Sequence, residues 1–229
     1  MIRENILEVR KRIEAACLRT KRDPAAIKLI AVSKGRSVEE IREALSSGLT
    51  DIGENRVQEA LLKYSDKRLA LGDMPMQWHM IGHLQTNKVK EAVKIFNLIH
   101  SVDSLRLAEE IDSQASKINK IQDILIEVKT SPEATKFGIK PDELTGFIKE
   151  VSGFKNINIS GLMTIAPLVN NAEEARPYFR NLKELKDKVN LLSVLCYPLS
   201  VLSMGMTDDF EVAIEEGANM IRVGRAIFK

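Results

Sequence analysis

Lys34 ends an apolar run. In LIAVSKG, residues 29–35, five apolar or small residues lead into an ammonium group and then a glycine. A lysine at a strand end usually just meets water. It becomes a nucleophile when burial or a nearby cation lowers its pKa, and it then forms Schiff bases with carbonyl compounds. Toward the other end of the chain, SMGMT (203–207) and MIRVGRAIF (220–228) each place a glycine where an apolar run turns. Such a glycine lets the backbone approach a ligand, and the N–H groups that follow favour a phosphate. Gly205 or Gly224 alone reads as a tight turn, whereas both together favour phosphate binding. WHMIGHLQTNK (78–88) sets His79 and His83 four apart, a metal-pair spacing on a helix. Here the segment reads as strand then loop, Gly82 interrupts it and no third ligand is near, so no metal site is expected. Trp78 reads as core or as a ligand wall. In GENRVQEA (53–60), Glu54 or Asn55 contacts a ligand, or Asn55 caps the following helix.

The elements that position these residues alternate. Residues 3–22 carry Ile6, Val9, Ile13 and Ala16 at helical spacing, with Asp23-Pro24 as the stop. Eight apolar runs follow: LIAVS, TDIGEN, QWHMIG, LIHSVD, DILIEVK, INISGLMTI, the stretch near LSVLSMG, and NMIRVG. Helical patterns separate them. One is closed by Gly48, one is capped by Asp103 or Ser104, one opens at Pro141, and one contains an awkward Pro177. The runs are rich in Val, Ile and Leu without strict alternation, as in a parallel sheet buried on both faces. Eight units of roughly 25 residues predict a single (β/α)8 barrel with an extra N-terminal helix, one domain over residues 1–229. A doubly wound open sheet is the rival, disfavoured by the lack of G-x-G-x-x-G after the first strand. A final short helix is expected after Gly224. In such barrels the site lies at the C-terminal ends of the strands. That singles out Ser33 and Lys34, Glu54 and Asn55, His79 and His83, Asp103, Lys129, Met163, Ser203 and residues 222–225.

The totals exclude several classes. Lys plus Arg is 34 and Asp plus Glu is 32, a net charge of +2, which is no footprint for nucleic acid or an anionic membrane. No apolar run reaches the length of a membrane span, and the first residues have no signal-peptide core. Cys17 and Cys196 form no framework, so a reducing, cytoplasmic setting is expected.

An amine for an aldehyde and a cradle for a phosphate on one barrel face match the two reactive ends of pyridoxal 5'-phosphate. The sequence resembles the pyridoxal phosphate homeostasis proteins. The resemblance runs through AVSK, GENRVQEA, WHMIGHLQTNK, SVDS, GLMTI, LSMGMTDDFEVAIEEG and IRVGRAIF, in order from residue 31 to 228. It implies a barrel like the N-terminal domain of alanine racemase (fold type III), with Lys34 holding the cofactor as a Schiff base. Ser203 and the backbone of Gly224 and Arg225 would hold the phosphate. Arg222 would face the pyridine nitrogen, and Asn55, His83 and Met163 would line the pocket. Lys136, in EATKFGI, matches a family lysine tied to cofactor transfer or a secondary site. The chain departs from many members at Arg225, where a small residue is common, and in ending at Lys229.

Two functions are open on this resemblance. One is intracellular homeostasis of the cofactor, buffering it and delivering it to apo-enzymes; the other is an amino-acid racemase or related enzyme. A racemase needs two opposed bases, commonly a lysine and a tyrosine, the latter from a second domain. The chain has only Tyr64, Tyr178 and Tyr197. The first two lie in helix patterns and the third precedes the seventh strand. A non-enzymatic, monomeric carrier is therefore expected. A Schiff-base aldolase using Asp51 or Glu54 beside Lys34 is the third, weaker reading.

Overall fold

Short apolar runs separated by amphipathic stretches bury both faces when a parallel sheet closes on itself inside a layer of helices. The computed structural model describes residues 1–70, 76–131, 133 and 137–229, and it takes this form. The strands are β1 (Lys28–Val32), β2 (Asp51–Glu54), β3 (Gln77–Met80), β4 (Leu98–Val102), β5 (Gln122–Glu127), β6 (Ile157–Met163), β7 (Val201–Ser203) and β8 (Met220–Val223). They follow one another round a closed parallel barrel, and β8 pairs back on β1 through Ile30 opposite Arg222. The expected (β/α)8 architecture is borne out.

The helices are α1 (Ile2–Thr20), α2 (Val38–Ser46), α3 (Val57–Ala70), α4 (Val89–Ile95), α5 (Leu105–Ser116), α6 (Leu144–Val151), α7 (Arg176–Leu191) and α8 (Phe210–Glu215). The leading helix is less of an extra than its position in the chain implies. After β8 the backbone makes only a turn, with the Ile227 and Phe228 N–H groups returning to the Gly224 carbonyl, so the expected last helix is absent. α1 packs between α8 and α2 and completes the ring. Its buried stripe is Ile2, Ile6, Val9, Ile13, Ala16 and Cys17. Arg12 and Arg19 bind Glu211 and Glu215 on α8 at 2.6 and 2.5 Å.

Several boundaries shift for local reasons. α1 stops at Thr20 because Lys21 adopts a left-handed conformation, φ 56°; Pro24 instead opens a short 3-10 turn capped by Asp23. Pro177 is not awkward, since it occupies the second helical position of α7, where no intrahelical N–H bond is needed. Pro141 lies three residues ahead of α6, and Ser104 precedes α5 without a capping hydrogen bond. α2 has a complete capping box, Ser37 with Glu40, immediately after the Lys34 turn.

The barrel carries two separate cores. One lies between strands and helices and includes Trp78, Phe179 and Phe210. The other is a small inner cluster of Ile30, Leu98, Leu125, Met163 and Met220, drawn from five strands and hence inside the ring.

Candidate functional site

The C-terminal ends of β6, β7, β8 and β1 surround a cavity of about 440 Å³. Residues 165–170 after β6 form one wall, and residues 206–209 after β7 form another. Val32, Arg222, Gly224 and Arg225 close the β8–β1 side. The β7 loop is locally determined. Gly205 has φ +93°, and a Cβ there would stand 2.6 Å from the Ala213 Cβ, so a side chain is excluded. The Met206 N–H then donates to Asp209 at 2.6 Å, and the Arg222 N–H ties the loop to β8 through the Gly205 carbonyl at 3.0 Å. At Gly224 a Cβ would press on Val32 at 3.3 Å, so this backbone runs tight against β1.

Arg222 is the buried cation of the site. Its Nη1 donates to the Ser203 Oγ at 2.6 Å and its Nη2 to the Thr164 carbonyl at 2.9 Å. Burial pulls its pKa down to about 10, with Asp209 and Glu127 opposing, so the guanidinium stays charged at neutral pH. Glu127, at the end of β5, is lifted to about 7 by burial and by Asp103, with Arg222 opposing.

Lys34 follows Ser33 in a turn beyond β1, and its side chain is exposed. Its amine has no hydrogen bond or ion pair among the described residues. What is buried is the support behind it. Lys63 of α3 donates to the Ser33 carbonyl at 2.6 Å, to Glu54 at 2.5 Å and to Glu59 at 2.7 Å. The Ser33 hydroxyl donates to Glu54 at 2.6 Å, and the Gly35 N–H to Glu59 at 2.5 Å. These contacts pin both sides of the turn that presents Lys34. They engage the Glu54 Oε1, whereas its Oε2 is buried and without a hydrogen-bond partner among the described residues. The residues that hold the lysine turn, Lys63 and Glu59, carried no signal beyond helix periodicity.

The other sequence-selected residues separate. The Asn55 Oδ1 is buried and without a partner among the described residues, so Asn55 does not cap α3, which starts two residues later. His83 sits exposed beyond β3, stacked on Phe137 with ring centres 3.9 Å apart and with its Nδ1 3.5 Å from Asp103. Met163 is fully buried in the inner cluster, and Ser203 is fully buried beneath Arg222. Neither Met163 nor Ser203 reaches the cavity wall, whereas Arg222, Gly224 and Arg225 do. The Arg225 guanidinium pairs with Asp208, and both residues line the cavity. Lys136 lies outside the described residues. His79 does not join His83; it points into the barrel, where its Nε2 meets Asp51 at 2.8 Å and its Nδ1 meets His100 at 3.0 Å. His100 and Glu127 were missed by sequence reasoning. The available signal was an imidazole and a carboxylate inside otherwise apolar strands, LIHSV and DILIE.

Comparison with known proteins decides the family. The alanine racemase, N-terminal domain family matches residues 1–229. The pyridoxal phosphate homeostasis protein of Aquifex aeolicus is 46% identical over 225 residues, covering 98% of this chain and 96% of that protein. The chain belongs to the pyridoxal phosphate homeostasis protein family. A further member, from Pseudomonas aeruginosa, is 38% identical over 99% of this chain and 94% of its own length. Among solved structures, PipY of Synechococcus elongatus, determined with PLP bound, matches with 36% identity and a TM-score of 0.86 over the whole of both chains. Alanine racemase of Clostridium difficile is 15% identical, with a TM-score of 0.76 over 99% of this chain and 58% of its own, and it shares the fold. For a homeostasis-family barrel, the notable local feature is Arg225, whose side chain is drawn to Asp208 on the neighbouring loop.

Proposed function

We propose that this protein binds pyridoxal 5'-phosphate at the C-terminal mouth of its barrel and serves in intracellular homeostasis of that cofactor, holding it without robust turnover. The observation that carries this reading is the meeting of Arg222, Gly224, Arg225 and the Met206–Asp209 loop around one cavity, on the barrel end that also carries the Lys34 turn. The residues fit the group. The glycine turns bring backbone N–H groups to one wall for a phosphate. Arg222 is fixed and cationic, which suits an unprotonated ring nitrogen. The buried Asn55 Oδ1 has no partner among the described residues and can accept from a ligand donor. Lys34 is a free amine for the aldehyde, as a Schiff base.

Holding is favoured over turnover by the placement of the tyrosines. Tyr64 on α3 packs edge-on to Trp78, Tyr178 lies on α7, and Tyr197 is exposed ahead of β7. None stands at the C-terminal mouth as a second base. The PLP homeostasis relatives carry a name that describes cofactor management, which agrees with this reading. Acting as a cytoplasmic monomer that hands the cofactor to apo-enzymes belongs to the same proposal.

The test is spectroscopic. Purified protein mixed with the cofactor is expected to gain a visible absorption band, and Lys34→Ala to lose it while unfolding at the same denaturant midpoint. Steady racemisation or transamination of a common amino acid would overturn the carrier role.

A further inference from the structure

A continuous hydrogen-bonded chain crosses the inside of the barrel. Arg222 Nη1 is 2.6 Å from Ser203 Oγ, Ser203 Oγ is 3.0 Å from His100 Nδ1, and His100 Nε2 is 3.0 Å from His79 Nδ1. His79 Nε2 is in turn 2.8 Å from Asp51 Oδ1, which also accepts from Lys28 Nζ at 2.9 Å. β4 and β7 are three strands apart in the ring, so the His100–Ser203 contact spans the interior. His79, His100, Ser203, Asp51 and Arg222 are all buried. The far end is not sealed. Lys28 and Asp51 line a second cavity, of about 620 Å³, at the N-terminal end of the barrel with Arg10, Glu14 and Thr50.

The chemistry of the two ends gives this chain one direction. Arg222 can only donate, so the Ser203 oxygen accepts from it. Asp51 can only accept while ionised. Burial pushes its carboxyl up, but the hydrogen bonds from His79, Thr50 and Lys28 outweigh that and hold it at about 2. His79 therefore carries its proton on Nε2, and in its neutral form its Nδ1 must accept. His100 is kept neutral by burial, by His79 and by Arg222, so it donates from Nε2 and accepts at Nδ1. The hydroxyl proton of Ser203 then has one destination, His100. Every donor along the line points from the cofactor end toward Asp51.

We propose that Asp51, His79 and His100 are positioning residues: a directional relay that fixes the Ser203 hydroxyl and, through it, the Arg222 guanidinium on the wall of the cofactor cavity. This extends the cofactor-binding reading above and rests on it only for what Arg222 faces. The groups around the relay come from every side of the ring: Lys28 on β1, Asp51 on β2, Glu127 on β5, the Thr164 carbonyl after β6, and Arg222 on β8.

The chain has only three histidines, so nitrogen NMR of the ring atoms in protein labelled at histidine and free of cofactor reads the relay directly. His79 and His100 are expected as single Nε2–H tautomers at neutral pH, with His83, outside the relay, as internal control. Asp51→Asn replaces a pure acceptor by a group that also donates. It is expected to scramble both tautomers, leave the His83 signals in place, and weaken pyridoxal phosphate binding about tenfold. Nδ1–H tautomers in the wild type, a cationic His79 at neutral pH, or unchanged His100 signals in Asp51→Asn would each overturn the relay. Scrambled tautomers with unchanged cofactor affinity would overturn the positioning role. Absence of cofactor binding in the wild type with the tautomers as expected would instead sink the cofactor reading and leave the directed chain standing. If Asp51→Asn does not fold, Ser203→Ala supplies the same readout: the His100 Nδ1 loses its donor and its signal moves while that of His79 stays.

Discussion

The eight strands serve two cores of opposite character. Their outward faces meet the helices through large apolar groups, among them Trp78, Ile52, Leu162, Phe179 and Phe210. Their inward faces hold a small apolar cluster of Ile30, Leu98, Leu125, Met163 and Met220, with Ile165 and Val201 packed against it. The rest of the interior that the structure describes includes a row of polar and charged groups running from Asp51 to Arg222. A barrel interior is ordinarily filled by layers of branched apolar side chains. The outer core stabilises the fold through buried area, at about 25 cal/mol per Å². The inner row removes charges from water, which costs free energy unless each is paired or bonded. A fold tolerates such a row where it positions something, so the outer core should govern stability and the inner row should govern ligand binding.

The largest expected effect on folding belongs to the outer core. Phe179 is fully buried on α7, and Phe179→Ala should cost about 3–5 kcal/mol. A urea midpoint shifted at constant slope measures this, and cofactor affinity of the folded protein should stay as in the wild type. A lost affinity would mean that the two cores are not separable. The next effect is one of pH. Glu127 is raised to about 7 from 4.5, first by burial and then by Asp103. Between those values the folded protein keeps a proton that the unfolded chain has released. Stability should therefore fall as pH rises from 4.5 to 7, by on the order of 2–3 kcal/mol. Glu127→Gln should flatten that fall, read from denaturant midpoints at pH 5 and pH 8. An equal fall in the variant would show that Glu127 is not its source.

The difference between the cores also explains what was legible in the sequence. Outward faces follow hydrophobic periodicity, so eight strands, their order and the stripe on α1 could be read from residue types alone. Gly205 and Gly224 were legible for the same local reason, because a backbone that turns tightly at a strand end advertises itself as glycine. The relay was not. His100 in LIHSV and Asp51 in TDIGEN acquire meaning only when β2, β3, β4 and β7 are brought round a ring, and the partners lie 21 to 103 positions apart. The closing role of α1 was hidden similarly, since its partner α8 lies at the far end of the chain. Lys34 shows the limit within a single motif. Its place at the mouth was readable, but the support from Lys63 and Glu59 comes from a helix whose pattern looks merely solvated.

A smaller effect is expected where neither core is touched. The capping box of α2 joins the Ser37 hydroxyl to the Glu40 N–H at 3.2 Å and Glu40 to the Ser37 N–H at 2.8 Å. Ser37→Ala should cost about 1 kcal/mol in the same urea experiment. Because the cap begins three residues after Lys34, its loss should also slow formation of the visible cofactor band if the cap stiffens that turn. An unchanged rate would assign the stiffness to the Lys63 and Glu59 contacts.

The smallest effect on stability should come from a buried charge, Arg222. Arg222→Met removes a desolvated guanidinium and leaves the Thr164 carbonyl without its donor. Losing the charge is favourable and losing the donor is not, and Glu127, already near 7, takes up a proton easily once its cationic neighbour is gone. These terms oppose one another, so the net change should lie within ~1 kcal/mol. Cofactor affinity should nevertheless drop at least tenfold, because a neutral side chain offers the ring nitrogen no donor. The pair of measurements is the inverse of that for Phe179→Ala. If Arg222→Met unfolds the protein instead, the inner row is structural after all, and its polarity would have to be explained by the fold and not by the ligand.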